Sequence, residues 1–155
     1  RTYSQWLNIR KSFDLYLDFS KKNNIKCDMF IRMRSDLHIS DITVLNKIIT
    51  QSYIDNKIIF FNTCHVVNDQ LFIGPYTLFK KIMLLSDNIY DYYLLDDIKK
   101  RIVKHKNNHR KPDFNKEIRF GGESEILLRK HINICLNKID YILINHNKLF
   151  HIKRK

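Results

Sequence analysis

A short apolar run, Cys27–Met33, ends in two arginines and an aspartate at alternate positions, Arg32, Arg34 and Asp36. Alternate residues of an extended chain point to the same side. The three charges are therefore expected on one face if the strand continues to Asp36, and in the loop at its carboxyl edge if the strand ends near Met33. Open α/β sheets bind ligands at that edge. This segment predicts a buried strand that ends in a cluster of charges.

The chemistry of this cluster has two interpretations. Two guanidinium groups beside one carboxylate are suited to binding a diphosphate, with or without a metal ion. An Arg–Asp ion pair at a strand end would give the same spacing without a ligand, and such structural pairs are common. The spacing alone leaves both interpretations open.

Strand-like and helix-like segments alternate along the chain, which is typical of α/β proteins. Gly74-Pro75 is the sharpest break, and the helical stretch that follows is expected to be interrupted near 87–91. Apolar residues three and four positions apart indicate the helices. Predicted helices cover 3–24, 42–51, 76–105 and 123–136, and predicted strands cover 27–33, 57–62, 71–74, 139–144 and 149–153.

The overall composition limits the class of protein. The 155 residues are enough for one domain with a hydrophobic core. No apolar stretch approaches the roughly 20 residues of a membrane span, so we expect no transmembrane segment. The three cysteines have no paired spacing, which predicts a reducing, cytoplasmic location without disulfides. Cys64-His65 and His131-x3-Cys135 each lack the second ligand pair that a zinc site needs.

Positive charge is concentrated in the last third of the chain. Residues 1–98 carry 12 basic and 11 acidic side chains, whereas residues 99–155 carry 16 and 5. This distribution favours an anionic partner, such as nucleotide phosphates, nucleic acid or an acidic lipid surface. A nucleic-acid-binding module is therefore one hypothesis, although the basic residues over 99–111 have no aromatic residue among them for base stacking.

Asn68-Asp69-Gln70 is a second polar cluster, set directly before the apolar residues Leu71–Gly74. Three adjacent polar side chains can coordinate a metal ion, bind a sugar hydroxyl or simply close a turn. Glu123-Ser124-Glu125 forms a third cluster at the start of a predicted helix. Acidic residues there stabilise the helix dipole, and one of them could also serve as a base or as a sugar-binding carboxylate. His131 does not share a helix face with Glu125, so we do not pair the two.

Three segments together resemble a known pattern. They are I-R-M-R-S-D-L at 31–37, N-D-Q-L-F-I-G at 68–74 and S-E-I-L-L-R-K-H-I at 124–132. In this order they resemble glycosyltransferase-like proteins of giant DNA viruses and of bacterial surface-polysaccharide clusters. The pattern of that group is R-x-R-x-D-L, then N-D-Q-F near a glycine, then P-E-x-L-L-x-x-H-L. Here Leu71 replaces the aromatic residue, Ser124 the proline and Ile132 the last leucine. The opening S-Q-W-L-N-I-R-K-S-F-D-L-Y resembles the preceding helix, so the resemblance covers most of the chain.

The resemblance implies a GT-A-like, Rossmann-type nucleotide-sugar fold. Such proteins usually begin with a further strand–helix–strand that holds part of the nucleotide. We therefore expect 1–155 to be the C-terminal portion of a larger glycosyltransferase-like domain. A viral relative would be expected in the host cytoplasm or the virion.

The implied reaction is transfer of a sugar from a nucleotide-diphosphate donor to a glycan or protein acceptor. We expect the donor to contact Arg32, Arg34, Asp36, Asn68 and Gln70, with the arginines at the phosphates. Asp36 is expected to hold the sugar or a Mn²⁺ or Mg²⁺ ion. An inverting transfer needs a base on the acceptor hydroxyl, and we expect Asp69 first and Glu125 second. A non-catalytic structural relative of the same fold is the alternative.

Overall fold

The structure of the chain, a computed structural model, describes residues 2–63, 66–109, 123–145 and 150–152. Helices and strands alternate along much of the sequence. The helices are α1 Thr2–Asn23, α2 Ile42–Asp55, α3 Tyr76–Met83, α4 Leu85–Leu94, α5 Asp96–His109 and α6 Glu123–Cys135. The strands are β1 Met29–Met33, β2 Leu37–Ile39, β3 Ile58–Thr63, β4 Val66–Pro75, β5 Tyr141–Asn145 and β6 Phe150–Ile152.

Four strands form the central sheet, in the order β1-β4-β3-β5. β4 is antiparallel to both of its neighbours, and β5 is parallel to β3. Thus β1, β3 and β5 run in one direction, and their last residues share an edge with the first residue of β4. We name this the carboxyl edge. A separate two-stranded sheet pairs β2 with β6.

Helices cover both faces of the central sheet. Alternate sheet residues, including Ile58, Phe60 and Phe72, pack against helices α1 and α3 to α6. Ile59 and Phe61 belong to a second cluster on the other face, with residues of α2 and β2. All four β3 residues in these two clusters are fully buried. The continuous apolar run I-I-F-F is therefore the pattern of a strand covered on both faces, and the α/β class predicted from the sequence is confirmed.

The second helix begins as its sequence predicts. The Asp41 carboxylate accepts hydrogen bonds from the backbone N–H groups of Thr43 and Val44, which satisfies two donors that a helix start leaves free. The helix continues to Asp55 and ends at Asn56, whose φ of 49° is left-handed.

Several predicted boundaries are wrong, two of them in ways that bear on the site and on the helical layer. The stretch after Pro75 contains three helices, with breaks at Leu84 and Leu95 instead of near 87–91. Asp87 and Asp91 lie within α4 and are exposed, on the side opposite its buried residues. Acidic residues on the exposed side do not interrupt an amphipathic helix. The second wrong boundary is at residue 71, since β4 already begins at Val66. The last of these helices, α5, continues to His109, four residues beyond the predicted end at 105.

Among the described residues, we find no helix with the length and apolar character needed to span a bilayer.

Candidate functional site

Residues 68–70 form a bulge in β4. Phe60 and Asn62 of β3 pair with Phe72 and Val67 of β4. One residue therefore separates the pairs on β3, whereas four separate them on β4. Extra residues in one strand bend it and re-aim its side chains, and such bulges are frequent beside active sites. The Asn-Asp-Gln cluster, for which a turn was one of the open interpretations, is thus a bulge inside a strand near the carboxyl edge.

The end of β1 lies directly beside this bulge. The backbone N–H of Arg34 donates a hydrogen bond of 2.9 Å to the carbonyl of Gln70. The backbone N–H of Leu37 then donates to the carbonyl of Arg34 at 3.1 Å, which closes a turn. The strand ends at Met33, so the charges of Arg34 and Asp36 lie in the following turn at the carboxyl edge. This is the second of the two placements that the sequence allowed.

Arg34 and Asp36 form a two-pronged ion pair. The Nε and Nη2 atoms of Arg34 donate to the two carboxylate oxygens of Asp36 at 2.8 and 2.7 Å. These hydrogen bonds lower the pKa of Asp36. The Arg34 pKa is raised, first by the hydrogen bonds to Asp36 and, more weakly, by the charges of Asp69 and Glu125. Arg34 is therefore electrostatically coupled to an acid from each of the three motifs.

The guanidinium of Arg32 has a buried hydrogen-bond donor without a partner. Its Nε atom is buried and is the one buried side-chain nitrogen or oxygen within the described ranges that has no hydrogen-bond partner. Burial lowers the Arg32 pKa, while the charge of Asp69 opposes that change. A buried donor without a partner costs about 1–3 kcal/mol. An anionic ligand that accepts from this nitrogen would recover that energy.

The first turns of α1 connect the bulge to α6. Gln5 Nε2 donates to the Asp69 carboxylate at 2.7 Å, and Asp69 is only 5% exposed. The same nitrogen lies 3.4 Å from the hydroxyl oxygen of Ser124. That oxygen also accepts from the indole Nε1 of Trp6 at 2.9 Å. Four side chains from three distant parts of the sequence thus form one buried network.

The two glutamates of α6 have different environments. Glu123 accepts hydrogen bonds from the hydroxyls of Tyr93 at 2.5 Å and Thr2 at 3.3 Å. Burial and the bond to Glu123 raise the pKa of Tyr93. Glu123 therefore joins α1, α4 and α6, whereas Glu125 is half-buried and its charge acts on Arg34.

Most of the predicted site residues lie together. Arg34 contacts Asp36, its backbone bonds Gln70, and its charge is coupled to those of Asp69 and Glu125. The backbone carbonyl of Gln70, which accepts from Arg34, locates this residue at the site. The side chain of Asn68 lies outside the described residues. Gln5 and Trp6 were missed as members of this network. Their only signal was the resemblance of the opening helix, which indicated no contact partner.

His131 has no place in this site. Its Nε2 lies 2.8 Å from the carbonyl of Lys81, so this nitrogen carries the proton, and its Nδ1 accepts from the Tyr92 hydroxyl at 2.7 Å. Burial lowers the pKa of His131 and raises that of Tyr92 to about 12. This arrangement is a satisfied core histidine, and Cys135 nearby has a pKa raised by burial to about 11.

A resident metal ion does not fit the described side chains. Both oxygens of Asp36 are bonded to Arg34, and Asp69 is bonded to Gln5. Within the part of the chain that the structure describes, no three histidine, cysteine or acidic side chains are grouped as ligands. A divalent cation usually needs several oxygen ligands. The Mn²⁺ or Mg²⁺ ion expected at Asp36 stays a prediction, and we assign no step to it.

The basic stretch over 99–111 also stays a prediction. Lys99 lies on α5 with its Nζ 3.7 Å from the Asp96 carboxylate. The side chains of Arg101 and of residues 104–111 lie outside the described residues.

Comparison of the chain with protein-family models, curated proteins and solved structures finds no significant match. Function must therefore be argued from the site itself.

Proposed function

We propose that this chain is a glycosyltransferase-like protein that transfers a sugar from a nucleotide-diphosphate donor to a glycan or protein acceptor. One observation carries the proposal: hydrogen bonds link residues of three separate sequence motifs. Arg34 bonds the Asp36 carboxylate and the Gln70 carbonyl. Gln5 donates to Asp69 of the same bulge and lies 3.4 Å from the Ser124 hydroxyl. These are the motifs on which the family resemblance rests. Their convergence supports a shared site for one ligand.

The fold supports this location. The site lies at the carboxyl edge of β1, β3 and β5, and ligands of open α/β sheets bind at such edges. Helices on both faces of a mixed sheet are compatible with a GT-A-like, Rossmann-type fold. We propose that fold here.

We assign the donor diphosphate to the two arginines. Arg32 brings a buried N–H without a partner, and Arg34 is held in one orientation by Asp36. Guanidinium groups bind phosphate oxygens with strong, charge-assisted hydrogen bonds. Charge that develops on the leaving diphosphate would be stabilised by donors that are already in position.

We assign the general base to Glu125 in preference to Asp69, which reverses the order expected from the sequence. Asp69 is 5% exposed and bonded to Gln5, so an acceptor hydroxyl has little access to it. Glu125 is half-buried in the first turn of α6 and so is more accessible to an acceptor. A base must reach the proton that it removes. Asp69 then positions Gln5 and balances the charge of Arg32.

Donor binding can be measured with UDP- and GDP-sugars in a thermal-shift assay. A ligand that binds only the folded state raises its stability, by about 2.7 kcal/mol at 100 times its Kd. Trp6 is the only tryptophan of the chain and bonds Ser124 within the network, so its fluorescence gives a second readout. Each titration is run with Mn²⁺ and with EDTA to test the metal.

The variants of the two arginines locate the ligand. Arg32→Met and Arg34→Met should each abolish the thermal shift, whereas Lys22→Met, at an exposed position in the last turn of α1, should keep it. A shift that survives in both arginine variants would contradict the proposed donor site.

Transfer is measured as nucleotide release in the presence of glycan or protein acceptors. Glu125→Gln should abolish release and keep donor binding, whereas Asp69→Asn should lose less activity. Donor binding without release for every acceptor would favour the non-catalytic relative of the fold.

A further inference from the structure

A cavity of about 600 Å³ lies at the opposite edge of the sheet. It is formed between α1, the segment before β1, the end of α2 and the junction of β4 with α3. Met29 pairs with Pro75 at this end of β1, and the Tyr76 N–H donates to the carbonyl of Asp28 at 2.9 Å. Arg34 follows the other end of β1, so the cavity is separate from the candidate site.

Three tyrosines from three different elements line this cavity: Tyr16, Tyr53 and Tyr76. The rings of Tyr16 and Tyr76 pack against Phe30, with centroids 4.9 and 5.7 Å away. These two rings are therefore fixed by the core. Tyr53 is 62% exposed at the end of α2, so it can contact a ligand without supporting the core.

The polar groups of the cavity do not favour an anion. Lys26 and Asp28 bring one charge of each sign, and neither forms an ion pair with another described residue. Ser20 and Thr77 add neutral hydroxyls. The Tyr16 hydroxyl accepts the N–H of Cys27 at 3.1 Å, so its own proton is left to donate. The lining therefore offers aromatic surface, neutral hydroxyls and charges that cancel.

We propose that this cavity binds a neutral saccharide. A sugar ring has one face of C–H groups, which packs on the negative face of an aromatic ring, and an edge of hydroxyls for hydrogen bonds. A volume of about 600 Å³ is in the usual range for small-molecule sites. A saccharide held here would anchor a glycan away from the candidate site. This proposal does not depend on transfer activity.

The test uses saturation-transfer NMR on the full chain with methyl glycosides of glucose, galactose, mannose and N-acetylglucosamine, and with maltose. At least one probe should bind with a Kd in the millimolar range. Tyr53→Ala should weaken that binding by about tenfold or more. Tyr90→Ala is the matched control, since Tyr90 on α4 is 63% exposed and lies outside the cavity lining.

Two results would overturn the proposal. One is the absence of saturation transfer from every probe to the wild-type chain, and the other is binding that Tyr53→Ala leaves unchanged. UDP is added as a separate probe. If UDP binding is lost in Tyr53→Ala and kept in Arg32→Met, the cavity is a nucleotide site. The saccharide proposal and the assignment of the donor to the two arginines would then both fail. If UDP does not bind at all, only the proposed function fails, because the saccharide result is read independently.

Discussion

Arg34 presents its guanidinium edge to Asp36, with N–O distances of 2.8 and 2.7 Å, and its backbone N–H bonds the Gln70 carbonyl in the β4 bulge. Asp36 uses two of the five guanidinium N–H groups. The side chain is thus fixed from one side and its main chain from the other. A pre-oriented guanidinium binds a phosphate with less loss of side-chain entropy than a free one.

Replacing Asp36 by Asn tests whether this orientation matters. An amide offers one oxygen in place of two and carries no charge, so Arg34 loses half of its contact. We expect the transfer rate to fall at least about tenfold. The melting temperature should change little, because exposed ion pairs contribute little to stability. The transfer rate is measured as a function of donor concentration. The melting temperature is measured by circular dichroism.

The matched control is Asp14→Asn. Asp14 accepts from Nε of Arg10 at 2.8 and 3.1 Å, so it is a second carboxylate held by an arginine, on the surface of α1. This variant should keep the wild-type rate. An unchanged rate in Asp36→Asn would remove Asp36 from the site.

Replacing Arg32 by Met separates function from stability. Methionine keeps much of the side-chain length and removes the buried Nε donor that has no partner. The cost of about 1–3 kcal/mol for that donor disappears, whereas Asp69 loses a favourable charge. We expect the free energy of unfolding to change by less than about 1 kcal/mol in urea titrations, while the thermal shift with UDP- or GDP-sugars is lost. A large destabilisation would mean that Arg32 has a structural role.

Ser124→Ala tests the network between α1 and α6. The change removes the oxygen that accepts the Trp6 indole N–H, and Trp6 is only 1% exposed. An unsatisfied buried N–H should lower the free energy of unfolding by about 1–3 kcal/mol. In a Trp6→Phe background the same change should cost much less, since no indole N–H remains. Equal costs in both backgrounds, in a double-mutant cycle, would show that this hydrogen bond does not stabilise the fold.

The first part of the site could be predicted because its information is local. The apolar run before Met33 indicates a strand, and the spacing of Arg32, Arg34 and Asp36 indicates charges near its end, without any knowledge of the neighbouring strands. The position of that end stayed open in the sequence, and the predicted burial is wrong because β1 is an edge strand without a buried residue. The Asp41 cap is local in the same sense, because a carboxylate and the two N–H groups that it accepts lie within three residues.

The bulge and the α1 network could not be predicted in this way. Residues 68–70 look like a turn because their polarity is the same in a turn and in a bulge, and only pairing with β3 distinguishes the two. The contact between Gln5 and Asp69 joins residues 64 positions apart. No spacing along the chain indicates such a pair. Asp87 and Asp91 suggested a break because they are polar. The helix forms there nevertheless, because residues on the opposite side of α4 are buried against the core.

Gly74→Ala should destabilise the sheet near the proposed saccharide cavity. A Cβ at Gly74 would lie 2.7 Å from Cγ1 and 3.0 Å from the backbone Cα of Ile58, which is fully buried in β3. Overpacking of this kind costs about 1–3 kcal/mol, and here the backbone would have to move. We expect a lower urea midpoint for this variant. The double variant with Ile58→Val should not recover the loss, because valine keeps the Cγ1 and Cβ atoms that would lie 2.7 and 2.8 Å from the new Cβ.

His131 should make the fold sensitive to acid. The neutral ring is required, because Nδ1 accepts from Tyr92 while Nε2 donates to the Lys81 carbonyl. Burial lowers the pKa of His131 in the folded state, and the hydrogen bond to the Lys81 carbonyl and the charge of Asp87 oppose this only in part. In the unfolded chain this histidine has its ordinary pKa of about 6.5. Near and below that pH, the unfolded chain therefore binds more protons than the folded chain. His131 contributes stability above that pH, and this stability is lost as the pH falls, by up to about 1.4 kcal/mol per pH unit.

The effect of His131 can be isolated by comparing the wild type with His131→Gln. Glutamine can replace both hydrogen bonds with its amide and does not titrate. We expect urea unfolding free energies of the wild type to fall between pH 7 and pH 5 more steeply than those of the variant, since the other histidines and the carboxylates remain in both. Parallel pH profiles would contradict this prediction. They would mean that His131 binds a proton as readily in the folded chain as in the unfolded one, although its Nδ1 accepts from the Tyr92 hydroxyl.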